Sequence, residues 1–256
     1  MFIDTHTHLQ FESYDKDREL VIQRAIKNDI DTIITIGTDL KSSAEALNLA
    51  KKFAVVFASV GIHPNDCQNT SDSDLDEIEK MAQTEKAVAI GEIGLDYYRL
   101  NTSKEKQQDT LRKQVKLARK LGLPIIIHNR DAHEDIYRIL KEEKAEEISG
   151  VFHSFSGDIK FLNSILALNF SVSFTGPVTF KNTNYNKLIE YVPLEQLLLE
   201  TDSPFLAPVP FRGKRNEPSY VRYIAEKVAQ VKGIPLEKLA IITSDNAKNL
   251  FQLRSQ

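Results

Sequence analysis

The first apolar run of the sequence is Phe2-Ile3-Asp4-Thr5-His6-Thr7-His8, which ends in two histidines separated by one residue. We expect a β-strand here, in which alternate side chains point to the same face, so that His6 and His8 would lie side by side. Two neutral imidazoles on one face can bind one divalent metal ion. Two ordinary polar residues in a turn would give the same pattern, so the rest of the chain has to distinguish the two interpretations.

Further apolar, β-branched runs follow this stretch, and predicted strands start near residues 2, 32, 55, 87, 123, 149, 170 and 197. These runs are continuous rather than alternating, which is typical of parallel strands covered on both sides. Eight strand–helix units in a chain of 256 residues predict an α/β fold, a TIM-type barrel of ideal or distorted form, with a single domain over residues 1–256. An open doubly wound sheet is the alternative, but no Gly-x-Gly-x-x-Gly follows the first strand.

Helical spacing of apolar residues predicts the helices between these strands. A capping box formed by Thr102 and Glu105 should open the longest of them, and Gly122 should end it. The last helix should be broken near Ser244. The other expected helices are 15–28, 42–52, 73–83, 133–144, 161–168, 220–232 and 235–251.

Composition limits the class of protein. Hydrophobic residues make up 41% and charged residues 27% of the chain, as in ordinary globular proteins. A net charge of -3 argues against coating nucleic acid by bulk positive charge, but not against a nuclease whose metal ions hold phosphates. The lone cysteine, Cys67, excludes an internal disulfide and a cysteine-based zinc site. No signal peptide or membrane span is recognisable, so we expect a cytoplasmic protein without membrane association, and a monomer is favoured.

Five of the six histidines and two carboxylates fall at or just past the carboxyl ends of predicted strands. Active sites of such barrels are built at that end, so these side chains would converge on one rim. A lone histidine there is usually an ordinary polar residue, but chance placement of five is much harder to accept. The sixth, His133, lies inside a predicted helix and is expected on the surface. The converging residues are His6, His8, His63, Glu92, His128, His153 and Asp202.

Four histidines and two carboxylates suit two divalent cations, with zinc, manganese, nickel or magnesium as candidates. Two ions roughly 3.5–4 Å apart need a ligand that bridges them, and a carboxylate can do so. Such a pair lowers the pKa of a bound water and takes up charge on a phosphoryl or acyl oxygen. Asp202 would bind one ion and accept the proton of the attacking water. The constellation predicts a hydrolase.

Successive motifs along the chain resemble those of one known family, in the same order. They are Asp4–Leu9, Val60–Pro64, Gly91–Tyr97, Pro124–Ala132, Phe152–Gly157, Glu200–Pro204, Arg212–Pro218 and the closing Asn246-Ala247-x-x-Asn249. The family is the TatD metal-dependent deoxyribonucleases of the amidohydrolase superfamily. The resemblance implies a barrel, dependence on divalent metals and hydrolysis of DNA, as a 3′-to-5′ exonuclease on single strands or 3′ ends.

The resemblance also implies a role for each converging residue. Glu92 would bridge the two metal ions, and His63 would contact the substrate or the leaving group, which makes Asp202, Glu92 and His63 the expected catalytic residues. The sequence departs from common family forms at Gln10, Asn65 and Asn129, which leaves substrate preference open. The implied metal ligands are His6, His8 and Asp202 for one ion, His128 and His153 for the other, and Glu92 for both.

A basic loop follows Asp202 and contains Arg212, Lys214 and Arg215. Guanidinium and ammonium groups beside a metal centre would position an anionic substrate, since arginine binds phosphate oxygens bidentately. A solvated basic loop without a role in binding is the alternative interpretation.

Two alternatives to a nuclease remain open at this level. The same metal chemistry cleaves amides, lactones and esters, so an amidohydrolase or esterase on another substrate, such as an aminoacyl-tRNA deacylase, is compatible with the motifs. A non-enzymatic scaffold that kept the fold is disfavoured, because all six expected metal ligands are present. The basic loop favours a phosphate-containing substrate, and hence DNA as the partner.

Overall fold

The computed structural model describes residues 1–181 and 183–253. Eight parallel strands form one sheet whose order follows the chain, and the end of the first strand meets the segment after the last through a bridge between Thr7 and Ser203. The predicted TIM-type barrel is confirmed. The strands are β1 (Phe2–Thr7), β2 (Ile30–Ile36), β3 (Val56–Val60), β4 (Ala87–Asp96), β5 (Ile125–Arg130), β6 (Gly150–Phe152), β7 (Phe170–Phe174) and β8 (Leu197–Leu199).

Helices follow the strands around the outside of the barrel, as the strand–helix alternation predicts. In the described part of the chain, none of them has the length and apolar character required to cross a membrane. The helices are α1 (Arg18–Lys27), α2 (Leu40–Lys52), α3 (Asp72–Ala82), α4 (Lys104–Leu121), α5 (His133–Glu142), α6 (Ile159–Leu166), α7 (Tyr185–Tyr191), α8 (Val221–Lys232) and α9 (Leu236–Leu250).

Two local predictions about the helices were wrong. The residue that caps α4 is Ser103, whose hydroxyl accepts the amide of Lys106 at 3.3 Å, while Thr102 is buried before the helix. Helix α9 runs unbroken through Ser244, whose hydroxyl donates to the carbonyl of Met1 at 3.3 Å. A serine in a helix interior does not require a break when its side chain has a partner outside the helix.

The apolar side chains form two groups. The larger group lies between the strands and the surrounding helices, and the smaller one lines the barrel interior. Ile3, Ile34, Ile126 and Leu198 contribute to the interior group, and Phe251 after α9 packs against it. A filled interior makes the barrel a rigid support rather than a pore, so polar side chains at the carboxyl ends of the strands are held on a fixed rim.

Candidate metal centre

The first cluster of ligand atoms lies where β1 and β8 meet. The Nε2 atoms of His6 and His8 are 3.3 Å apart, which confirms that the two side chains share a face of β1. Asp202 Oδ1 lies 3.7 Å from the first of these nitrogens and 3.5 Å from the second. Glu92 Oε2 lies 3.4 and 3.8 Å from the same two atoms. Two neutral nitrogens and two carboxylate oxygens at this spacing suit one divalent cation.

The second cluster lies around the other oxygen of Glu92. Its Oε1 atom is 2.9 Å from His128 Nδ1 and 2.8 Å from His153 Nε2, and these two nitrogens are 3.3 Å apart. The rings of His153 and His6 stack with centroids 4.1 Å apart, so the two clusters adjoin. The structure therefore brings together the six expected ligands, with the carboxylate of Glu92 between the two groups.

His63 lies beside the second cluster, at the end of β3. Its Nε2 atom is 3.6 Å from Glu92 Oε1, and its Nδ1 atom accepts the backbone amide of Asn65 at 3.1 Å. Burial lowers the pKa of His63 to about 3, so the ring is neutral at physiological pH. Because Nδ1 is an acceptor, the single ring proton is on Nε2. His63 thus presents a hydrogen-bond donor to the centre.

The charges of the site fit divalent cations. Burial would raise the pKa of Glu92, but the neighbouring His153 and His128 outweigh it and hold this pKa well below its usual range. Burial alone would lower the pKa of His153, yet Glu92 and Glu200 raise it well above the ordinary value. The buried carboxylates thus require positive charge beside them, which His8, His128 and His153 supply by binding protons, since the pKa of each of these three rings is raised. A bound cation would replace those protons, as metal binding to histidine sites generally does.

Groups outside the clusters orient the ligand rings. The carbonyl oxygen of Ile36 lies 3.0 Å from His8 Nδ1, and Asp96 Oδ2 lies 3.2 Å from His128 Nε2, both at hydrogen-bond distance. Glu200 Oε1 lies 3.5 Å from His153 Nδ1 as an ion-pair contact rather than a hydrogen bond. A partner on one ring nitrogen sets the tautomer and orients the other nitrogen toward the metal. Sequence reasoning missed Asp96 and Glu200, although both stand in the motifs quoted above and both lie at strand ends.

A buried carboxylate, Asp4, joins the first and last strands beneath the ligands. Its oxygens accept the backbone amide of Thr201 at 2.9 Å and the hydroxyl of the same residue at 2.6 Å. One residue further on, the amide of Asp202 donates to the carbonyl of His6 at 2.9 Å. These bonds form a seam that fixes Asp202 next to the histidines of β1.

The three basic residues of the loop after β8 have different surroundings. Arg215 binds Asp17 through two hydrogen bonds of 2.8 and 2.7 Å, and its guanidinium lies 4.7 Å from the ring centroid of Tyr14. The guanidinium of Arg212 lies over the ring of Phe180 at 4.4 Å and is exposed to solvent, as is Lys214. Arg212 and Lys214 thus have charges available to a ligand, whereas Arg215 is already paired.

His133 does not lie freely on the surface, as the sequence led us to expect. It begins α5, its ring stacks on Phe161 with centroids 4.3 Å apart, and its Nδ1 atom lies 2.9 Å from the amide nitrogen of Asn129. The side chain is half-buried, because α6 covers the start of α5 at this point. It takes no part in either cluster of ligands.

The sequence is similar to a known family model and to several known proteins. The sequence matches the family model of the TatD related DNases over residues 3–252. It is 45% identical over 254 residues to YabD of Bacillus subtilis, an uncharacterized metal-dependent hydrolase, with 99% of this chain and 100% of that protein covered. It is 31% identical to the 3'-5' ssDNA/RNA exonuclease TatD of Salmonella typhimurium, with 98% of both covered.

Solved structures agree with this picture. The crystal structure of YjjV, a TatD homolog from Escherichia coli, is similar with a TM-score of 0.93 and 30% identity, covering 99% of this chain and 98% of that one. A variant of an organophosphorus hydrolase from Deinococcus radiodurans is similar with a TM-score of 0.67 at 15% identity, covering 98% and 92% of the two chains. This more distant likeness shows a common barrel fold only.

Proposed function

The chain belongs to the TatD-related DNase family of metal-dependent hydrolases, and on that premise we propose that it is a 3′-to-5′ exonuclease acting on single-stranded DNA. The observation that carries the proposal is the position of Glu92. One of its oxygens lies 2.8 to 2.9 Å from the nitrogens of His153 and His128, while the other lies 3.4 Å from that of His6. A carboxylate placed in this way can serve two cations at once.

The residues would hold two ions between them. When bound, a pair of divalent cations lowers the pKa of a coordinated water and takes up the negative charge that develops on phosphoryl oxygens. Magnesium, manganese, zinc and nickel are all compatible with mixed nitrogen and oxygen donors. The proposed ligands are His6, His8 and Asp202 for the first ion, His128 and His153 for the second, and Glu92 for both.

Asp202 and His63 would handle the protons. The side chain of Asp202 is 13% exposed, compared with 4% for Glu92, so of the two carboxylates Asp202 opens more toward entering water. Burial would raise its pKa, but the hydrogen bond to His8 and the nearby His6 lower it, which leaves the carboxylate ionised and able to accept a proton. The Nε2 proton of His63 would be donated as a hydrogen bond to a phosphoryl or leaving oxygen.

The exposed charges of Arg212 and Lys214 support a substrate that contains phosphate. Arginine can bind phosphate oxygens bidentately, and such contacts position the nucleic acid without reading its sequence. The Salmonella relative is named as an exonuclease on single-stranded DNA and RNA, which supports the same class of substrate.

The test is a parallel incubation of the metal-loaded protein with single-stranded DNA, RNA, an aminoacyl-tRNA and a lactone. A 5′-labelled oligonucleotide should give a ladder that shortens from the 3′ end, and chelation should stop it. The matched control is Glu92→Gln, which keeps the shape of the side chain but removes its charge. Turnover of the aminoacyl-tRNA or the lactone with no shortening of DNA would contradict the proposal and support the esterase alternative.

A further inference from the structure

Two phenylalanines form an aromatic corner beside the first cluster of ligands. The ring of Phe11 stacks on that of His8, with centroids 4.6 Å apart and an angle of 10° between the planes. The ring of Phe205 lies 6.1 Å from His8 and 6.2 Å from Phe11, at angles of 65° and 70° to them. One wall of the corner is therefore parallel to the imidazole of a proposed metal ligand, and the other is steeply inclined to it.

The corner is open to solvent. Phe205 is 51% exposed, and Leu206 and Val209 on the same loop are 39% and 47% exposed. Phe11 is half-buried against His8. Burial of a phenylalanine ring is normally worth a few kcal/mol, so a ring that stays half in water next to a functional centre indicates a surface for binding.

The position of Phe205 is fixed by its backbone. Its amide donates to the carbonyl of Asp202 at 2.9 Å, and its own carbonyl accepts the side-chain amide of Asn216 at 2.7 Å. Asn216 is fully buried and also donates to the carbonyl of Thr201 at 2.9 Å. The exposed ring is thus attached rigidly to the segment that carries Asp202, which is the arrangement needed to place a ligand relative to the centre.

The chemistry of the corner differs from that of the basic residues on the same loop. Phe11 and Phe205 offer only aromatic faces, while Arg212 and Lys214 offer charge. Nucleic acid presents both features, since its phosphates need cations and its bases stack on aromatic side chains whatever their sequence. A neutral ester or lactone would have no use for this combination.

From these observations we infer that Phe11 and Phe205 form a stacking site for the nucleobase next to the phosphodiester bond that is cleaved. The inference rests on the proposed nuclease function and adds a recognition element to it. Stacking of a base on an aromatic side chain is generally worth about 1–3 kcal/mol, which corresponds to a change of about 5- to 150-fold.

The test compares oligonucleotides that carry a base or an abasic residue at the 3′-terminal or the penultimate position. The wild-type protein should cleave one abasic substrate about 5- to 150-fold less efficiently in kcat/KM than the intact one. Phe205→Ala should lose most of this preference, and Phe205→Tyr should keep it. The matched control is Tyr191→Ala, which removes an exposed aromatic ring at the far end of α7 and should behave as the wild type.

A second readout does not depend on turnover. Oligonucleotides with 2-aminopurine at the same two positions are titrated into the metal-free protein, and fluorescence quenching should accompany binding to the wild type but be reduced in Phe205→Ala. Quenching that is equal in both proteins would overturn the inference.

The outcomes separate the two proposals. If the wild-type protein shortens intact and abasic DNA equally and Phe205→Ala does the same, the stacking site is refuted while the nuclease proposal stands. If no DNA is cleaved at all, the nuclease proposal fails, irrespective of the fluorescence. A change of oligomeric state in Phe205→Ala, seen by light scattering without any change in base preference, would instead identify the corner as an interface between copies of the chain.

Discussion

Asp96 Oδ2 lies 3.2 Å from His128 Nε2, while the other nitrogen of the ring, Nδ1, is 2.9 Å from Glu92. The carboxylate is buried, and its second oxygen accepts the backbone amides of Tyr98 at 3.0 Å and Arg99 at 2.9 Å. Burial would raise the pKa of Asp96, but the hydrogen bonds from His128 and from the amide of Arg99 hold it far below the usual range. Asp96 is thus a rigid, ionised positioning residue for His128.

Replacement of Asp96 by asparagine should weaken metal binding in the second cluster. Residues that hold a metal-bound histidine typically contribute about 10- to 100-fold in affinity, and we expect a loss of that size for one ion only. Competition with a chromophoric chelator measures it. Asp72→Asn, at an exposed carboxylate on α3, is the matched control. Unchanged affinity for both ions in Asp96→Asn would show that the 3.2 Å contact has no positioning role.

The number of metal ions that the wild type and its variants bind should distinguish the two clusters of ligands. The wild-type protein should bind two ions, and His8→Ala and His128→Ala should each retain one, because each variant damages a different cluster. Elemental analysis by mass spectrometry after dialysis gives the count, and the melting temperature should rise with metal in all three proteins, since a ligand that binds the folded state stabilises it. A wild-type protein that binds a single ion would remove the bridging role of Glu92.

Glu92→Gln should abolish hydrolysis while the barrel still folds. The side chain keeps its volume but loses the charge that faces both clusters, so the loss should exceed the ~10- to 100-fold expected for a residue that only orients a ligand. Activity on DNA and circular dichroism are measured on the same preparation. Turnover close to that of the wild type would disprove the assignment.

Arg212→Ala should raise KM for DNA and leave the protein folded. If the guanidinium binds one phosphate, the slope of log affinity against log salt should become shallower by about 0.7 for a single strand. The control is Arg222→Ala on α8, an exposed arginine that pairs with Glu226 at 3.3 Å and should change neither quantity. Equal effects of the two substitutions would remove the phosphate role of Arg212.

Asp17→Asn should lower the free energy of unfolding, because it removes the ion pair with Arg215, and it should leave catalysis unchanged. Arg215 lowers the pKa of Asp17 below its ordinary value of 3.8, so the pair stabilises the folded state above that pH, and its contribution disappears as the pH falls through the lowered pKa. We expect about 0.2–1 kcal/mol at pH 7 for such a partly exposed pair. Urea unfolding should show the full difference between wild type and variant at pH 7, and this difference should shrink progressively as the pH falls below 3.8. A gap that persists in acid would contradict the ion-pair explanation.

Much of the fold follows from local sequence, because a buried parallel strand requires a short run of apolar, β-branched residues, as in Ile33–Ile36 or Ile125–Ile127. Helix α7 was not predicted, because its sequence carries no comparable local pattern. It has seven residues, and Asn184 and Asn186 beside its start are typical of turns, so nothing local distinguishes it from a loop. Helix α9 continues through Ser244, whose hydroxyl donates to the carbonyl of Met1, 243 residues away in the sequence, so no local pattern reveals this contact.

The candidate site, too, could be predicted from the sequence only in part. A histidine at the end of a predicted strand is visible in the sequence, and that sufficed to bring His6, His8, His128 and His153 to one rim. The contacts of the other carboxylates depend on which side chains lie next to one another in the fold. The roles of Asp96 and Glu200 therefore could not be assigned from the sequence. The same holds for the basic loop, where Arg215 forms hydrogen bonds with Asp17 while Arg212, three positions earlier, lies over the ring of Phe180.

The seam between Asp4 and Thr201 has a consequence for biosynthesis. His128, His153, His63 and Glu92 belong to four successive strands and can assemble while the chain is still being translated. The first cluster cannot assemble so early. Its histidines, His6 and His8, leave the ribosome first, whereas Asp202 leaves it only after all eight strands have been synthesised. A nascent or prematurely terminated chain would therefore lack the complete first cluster of ligand atoms until its barrel closes.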